Sequence, residues 1–186
     1  MSQREVVSSP AAEPVSTDPI TLRCPVVQDG AALWQLVNRS GALEENSCYA
    51  YLLLSTHFAN TCVVAETAGG IVGFVAAYIP PTKPDVLFVW QIGVAREARR
   101  FGLGKRLLNH LASLVGARDA RFLEATVTPS NAPSRRLFES FAEGLGVSCQ
   151  ETEGFSHEDF GAETHEAERL LRIGPLPERP VNDEDI

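Results

Sequence analysis

Residues 89–111 read VWQIGVAREARRFGLGKRLLNHL, an apolar strand that passes through a basic turn with two glycines and opens directly into an amphipathic helix. The first four N–H groups of a helix have no partner within it, and the positive end of the helix dipole lies at the same place. A strand, glycine turn and helix in this order therefore suit an anion such as a pyrophosphate. The turn consists of Arg99, Arg100, Phe101, Gly102, Leu103, Gly104 and Lys105. Its glycines let a ligand approach the backbone closely.

Spacing separates the known glycine loops. A P-loop requires Gly-x4-Gly-Lys-Ser/Thr, but Arg99 stands where its first Gly belongs and Arg106 where its hydroxyl belongs. A dinucleotide fingerprint requires a third Gly, and Leu107 occupies that place, in mid-chain rather than near the start of a βαβ unit. The pattern that fits is Arg/Gln-x-x-Gly-x-Gly/Ala, filled by Arg99, Gly102 and Gly104. An ordinary glycine turn before a helix would share the turn alone. The strand before it, the helix after it and a later Asn motif favour the anion-binding reading.

The 186 residues suit one domain, and 44% apolar content suffices for its core. A net charge of −8 argues against general nucleic-acid affinity and favours a small cationic substrate. Against it stands a basic island of Arg96, Arg99, Arg100, Lys105 and Arg106, the place for a polyanionic cofactor. Cys24, Cys48, Cys62 and Cys149 are scattered without a C-x-x-C or a nearby His pair, so neither a metal site nor a redox motif is expected. They read as reduced thiols of a cytoplasmic protein. The first residues show no apolar h-region and no apolar run approaches a membrane span, so neither secretion nor insertion is expected.

In order, residues 1–19 read as a disordered arm, residues 20–173 as the folded domain and residues 174–186 as a flexible tail. Ile20 to Val26 alternates like a strand, Asp29 is placed to cap a helix ending near Gly41, and a Leu-rich helix follows over Tyr49 to Phe58. Two apolar runs around Ala68-Gly69-Gly70 predict a hairpin, Val86 to Val94 a further strand, and the helix after the turn is closed by Gly116. Phe122 to Thr128 is the next strand, Asn131 begins a second long helix, and Gly146 to Thr152 with Thr164 to Ile173 form a closing pair.

The glycine turn, this β-αα-β-β-β-α-β-α-β-β order and Asn131-x-x-Ser134 together resemble the GCN5-related N-acetyltransferase (GNAT) superfamily over residues 20–173. The resemblance implies an α/β (α+β) fold with one mixed, mostly antiparallel sheet, splayed centrally and flanked by helices. It implies acetyl-CoA as co-substrate, with Ile92, Gly93 and Val94 along the pantetheine arm, the 99–105 turn at the pyrophosphate, and Asn131 and Ser134 as a second cofactor motif. Ile92 and Val94 serve equally as core residues, and Asn131 is also a natural N-cap. Many relatives place a Tyr seven residues after that Asn as acid for the thiolate; here it is Phe138, which cannot donate a proton. Tyr49, water or the product's ammonium could supply the proton instead.

Longer strings narrow the resemblance. Asn46-Ser47-Cys48-Tyr49, the run from Thr56 to Glu66, Pro84 to Ile92, and His165-Glu166-x-Glu168 are similar to the L-2,4-diaminobutyrate acetyltransferase family of ectoine biosynthesis. By position the resemblance implies substrate contacts from Glu44, Tyr49, Trp90, His165 and Glu168. The family's first acid is Asp, and Glu44 is longer by one methylene. Trp90 can also be core, and Tyr49 a plain helix residue. Glu168, His165 and Tyr49 are the catalytic candidates, with Glu44 and Glu45 as further bases. On one regular strand His165 and Glu168 would face opposite ways unless it bulges or starts after His165. Cys48 has no visible activating base, so direct transfer in a ternary complex is expected rather than an acetyl-Cys intermediate. A homodimer is expected, since edge strands of this fold often pair. Another amine acceptor, or a non-catalytic acyl-CoA-binding sensor, are the alternatives.

Overall fold

The computed structural model describes residues 19–41, 43–115, 120–161 and 165–177. Among these residues, seven strands form one sheet: β1 (Thr21–Arg23), β2 (Cys62–Thr67), β3 (Gly70–Tyr78), β4 (Val86–Val94), β5 (Phe122–Val127), β6 (Ser148–Glu153) and β7 (Arg169–Gly174). Four α-helices among them flank it: α1 (Gly30–Ser40), α2 (Cys48–His57), α3 (Leu103–Val115) and α4 (Ala132–Leu145). The strand order is β1-β2-β3-β4-β5-β7-β6. Only β4 and β5 run parallel; the other neighbours are antiparallel.

Alternation along the strands builds two cores. On β2, Val63 and Ala65 face α3 and α4, while Cys62 and Val64 face α1 and α2. Leu103, Leu107, Leu108 and Leu111 lie at helical spacing and are buried on the first face, with Phe138 and Phe141 of α4 beside them. Burying one such side chain contributes about 1.5–3 kcal/mol. On the other face, Leu33, Leu36 and Val37 of α1 and Tyr51 of α2 cover Phe74 and Ala76 of β3.

Several local expectations need correction. Asp29 does not cap α1 with its side chain. Its carboxylate accepts from Arg23 Nη1 and Nη2 at 2.7 and 3.0 Å and from the Val26 N–H at 2.8 Å. Charge-assisted, two-pronged bonds outcompete a single helix N–H. The Arg23 guanidinium accordingly holds the Asp29 carboxyl below its ordinary range. The first strand shortens to Thr21–Arg23 and the last begins only at Arg169. Order continues past residue 173, since Gly174 belongs to β7 and the Leu176 N–H donates to Arg121 O at 2.7 Å. The expected helix end at Gly116, the strand start at Thr164, the arm to residue 18 and the tail from residue 178 lie outside the described residues.

Candidate active site

The site grows out of a gap in the sheet. β4 and β5 pair only from Val86↔Phe122 to Val89↔Ala125, after which each strand continues unpaired with the other. At the same point the β3 register moves from Ala77↔Val89 to Ala76↔Gln91, leaving Trp90 as an extra residue. This bulge shifts the alternation by one. Leu87 and Val89 before it, and Ile92 and Val94 after it, all pack on the α3 and α4 face. Trp90 is pushed outward and remains 38% exposed.

One cavity, of about 470 Å³, lies over the basic turn. Arg99, Arg100, Gly102, Leu103, Gly104 and Lys105 line it from the turn, Ile92 and Val94 from β4, and Pro133, Ser134, Arg136, Leu137 and Ser140 from α4. Gly102 has φ +71° with open space around its missing side chain, so conformation demands it. Gly104 serves packing, since a Cβ there would meet Leu137 Cδ2 at 3.1 Å. Arg100 also takes a positive φ, of 70°. The Arg106 N–H bonds Gly102 O at 3.0 Å, and the N–H groups of Leu103, Gly104 and Lys105 before it open the helix without an internal acceptor. Arg99 folds back, its Nε donating to Val94 O at 3.0 Å, and so braces the turn against β4. Lys105 lies across α4, its Nζ 3.4 Å from Ser140 Oγ and over Gly144, where a Cβ would come within 2.6 Å. Two expected residues stand apart. Phe101 is exposed and outside this lining, and Gly93 admits Phe74 and Leu43, whose atoms a Cβ would meet at 2.7 and 2.8 Å.

The second cavity, of about 220 Å³, fills the gap between β4 and β5. Glu44 and Asn46 border it from the α1–α2 connection, Trp90 and Gln91 from the bulge, Thr126 from β5 and Thr128 just after it, and His165 and Glu168 from the β6–β7 loop. No Lys or Arg contributes to this lining. His165 and Glu168 both precede β7, so the opposed faces of a regular strand do not separate them. Gln91 organises the floor, its Nε2 donating to Glu44 O at 3.0 Å while its Oε1 accepts from the Tyr51 hydroxyl at 2.9 Å. Burial pushes the Tyr51 hydroxyl above its ordinary value, against the pull of the Asn46 and Gln91 hydrogen bonds, so it stays a donor. Its ring lies 6.2 Å from that of Trp90.

Asn131 borders this cavity and also caps α4, its Oδ1 accepting from the Ser134 N–H at 3.2 Å. Phe138 is buried and borders it too. Tyr49 is 67% exposed and, with Glu45 and Cys48, lies outside the lining. The two cavities share Ile92 and Ser134. Sequence reasoning missed Gln91, Thr126, Arg136 and Ser140. A polar residue inside the apolar run VLFVWQIGV marks Gln91, and helical spacing from Pro133 through Arg136 and Leu137 to Ser140 marks the α4 face. Among the described residues, no group of three His, Cys, Asp or Glu could hold a metal ion.

The acetyltransferase (GNAT) family profile matches residues 31–142. The chain is 44% identical over 174 residues to an L-2,4-diaminobutyric acid acetyltransferase of Shouchella clausii, covering 94% of this chain and 97% of that one. It is 48% identical over 170 residues to the protein of the same name from Bordetella parapertussis, covering 91% of each. Among solved structures, diaminobutyrate acetyltransferase EctA from Paenibacillus lautus, in complex with its substrate L-2,4-diaminobutyric acid and coenzyme A, superposes with a TM-score of 0.81. That likeness spans 89% of this chain and 99% of the other at 40% identity.

Proposed function

Because this chain belongs to the acetyltransferase (GNAT) family, we propose that it transfers acetyl from acetyl-CoA to the γ-amine of L-2,4-diaminobutyrate, the acetylation step of ectoine biosynthesis. The names of its relatives and the ligands of the Paenibacillus lautus enzyme support this substrate pair. The observation that carries it is the meeting of a basic cavity and an acidic one at Ile92 and Ser134, where the sheet splays.

On the basic side, the N–H groups of Leu103, Gly104 and Lys105 and the cations of Arg100, Lys105 and Arg136 bind the cofactor's phosphates. The edge of β4 beyond Val89, free of β5, holds the pantetheine arm. On the acidic side, the Glu44 and Glu168 carboxylates and the Trp90 ring bind the two ammonium groups of a diamino acid. An amine of this type has a pKa of about 10.4, so a base must take one proton before attack. His165 is that base, within a cavity bordered by the Glu44 and Glu168 carboxylates. The neutral amine forms the C–N bond as the C–S bond breaks. The sulfur leaves as a thiolate, whose thiol pKa of about 8.5 by analogy with Cys requires no strong acid. It recovers the second proton from the former amine nitrogen, so Phe138 is no obstacle. Cys48 lies outside the cavity, in keeping with direct transfer.

The chain is further read as a cytoplasmic homodimer. Four free cysteines suit a reducing compartment. Among the described residues β1 and β6 end the sheet, and such edges can pair with a second copy. Among the described residues, no helix is long and apolar enough to cross a membrane.

Thiol release from acetyl-CoA, measured with diaminobutyrate, ornithine, lysine and spermidine, tests the proposal. Diaminobutyrate should give the highest kcat/KM. Preference for spermidine would reassign the substrate, and acetyl-CoA binding without thiol release from any amine would make the protein a sensor rather than an enzyme.

A further inference from the structure

The β6–β7 loop carries two large apolar side chains that no core absorbs, Phe155 at 51% and Phe160 at 38% exposure. They touch edge to face, with ring centroids 6.2 Å apart. The second stacks on the His165 imidazole at 3.7 Å with 18° between the planes. His165 Nδ1 lies 2.7 Å from Glu166 O. A carbonyl only accepts, so Nδ1 carries the hydrogen, and in the neutral ring Nε2 is left with the lone pair. The Glu166 side chain turns the other way, its Oε2 accepting from the Ser130 N–H at 3.1 Å. Ser130 immediately precedes Asn131, the cap of α4. The loop is closed at its base by the Glu168 N–H on Phe155 O at 2.7 Å.

We propose that Phe160 and Glu166 are positioning residues for His165. The Phe160 face and the Glu166 carbonyl hold the imidazole as its Nδ1–H tautomer with Nε2 as the proton acceptor, and the Glu166 carboxylate fastens the loop to the start of α4. The ring's orientation is thereby set relative to Asn131 and Ser134 at the start of α4. As a statement about catalysis this rests on His165 acting as the base for the amine. As a statement about the ring it stands without that reading.

The test therefore has two readouts on the full-length protein. Long-range 1H–15N correlation spectra, with His165→Gln identifying the His165 signals among the four histidines, should show hydrogen on Nδ1 in the wild type and mixed tautomers in Phe160→Ala. In steady-state assays, Phe160→Ala and Glu166→Ala should each lower kcat/KM for diaminobutyrate about 10-fold, leaving the KM for acetyl-CoA within about twofold. Phe160→Tyr keeps the stack and Glu166→Gln keeps an acceptor for Ser130, so both should restore most of the loss. Hydrogen on Nε2 in the wild type, equal losses for both substrates, or a Phe160→Tyr variant as impaired as Phe160→Ala would overturn the proposal. A wild type that acetylates no diaminobutyrate yet shows the Nδ1–H tautomer would overturn the activity and support the positioning.

Discussion

The cofactor-side cavity takes most of its lining from two short stretches, residues 98–105 and 133–140, whereas the acceptor-side cavity is assembled from five, between Leu43 and Glu168. The first is a local device, a positive-φ turn entering a helix, packed against one neighbouring helix. The second exists only when the α1–α2 connection, the β4 bulge, β5, the start of α4 and the β6–β7 loop have all come together. Anion binding by backbone N–H groups needs little beyond a correct turn. Selecting a diamino acid needs carboxylates and an aromatic face at fixed separations, which separate elements can span. The two cavities should therefore fail independently, and by different routes.

The largest effect is expected on the acceptor side. Glu168→Ala should lower kcat/KM for diaminobutyrate about 100-fold, the loss of a charge-assisted bond of about 2–3 kcal/mol, while the KM for acetyl-CoA stays within about twofold. Comparable changes in both would break the division. On the cofactor side, Gly102→Val should raise the KM for acetyl-CoA about 10-fold, because a β-branched residue at φ +71° costs about 1–2 kcal/mol. An amine KM that rises equally would contradict a local role for the turn.

The acceptor side also leans on the layer beneath it. Asp29 ties the approach to α1 to Arg23 on β1. Because its folded pKa is depressed, the stabilisation is present above its ordinary value of about 3.8 and is lost as the pH falls through the lower folded value. Asp29→Asn should cost about 1–2 kcal/mol at pH 7, with the difference in Tm from the wild type closing below about pH 4. A gap that persists in acid would remove the ion pair as its cause. The smallest effect belongs to Tyr51→Phe, which strips Gln91 of one partner and should weaken diaminobutyrate about three- to fivefold, with coenzyme A untouched.

Legibility in the sequence follows the same division. The turn at Arg99 to Lys105, its helix and the Asn131 cap could be read because each signal spans a few neighbouring residues. Element order could be read because periodicity and turn residues punctuate it. The Trp90 bulge could not, since one extra residue in VLFVWQIGV leaves an apolar string apolar. Tyr51 and Gln91 are 40 positions apart, and neither alone announces the other. The resemblance offers Tyr49, and the turn of α2 leaves that residue exposed while it buries Tyr51 beside Trp90, which the resemblance does not single out. Gly104 lines the cofactor-side cavity, and its missing side chain also makes room for Leu137 of α4, which the spacing of the turn does not show. In each case the deciding contact comes from another element, which spacing along one chain segment does not reveal.

Calorimetric titration of Glu168→Ala with coenzyme A and, separately, with L-2,4-diaminobutyrate tests the separation of the two cavities most directly. Coenzyme A should bind within about twofold of the wild type while diaminobutyrate weakens by about 30-fold or more. Equal loss of both ligands, or undiminished binding of diaminobutyrate, would contradict it.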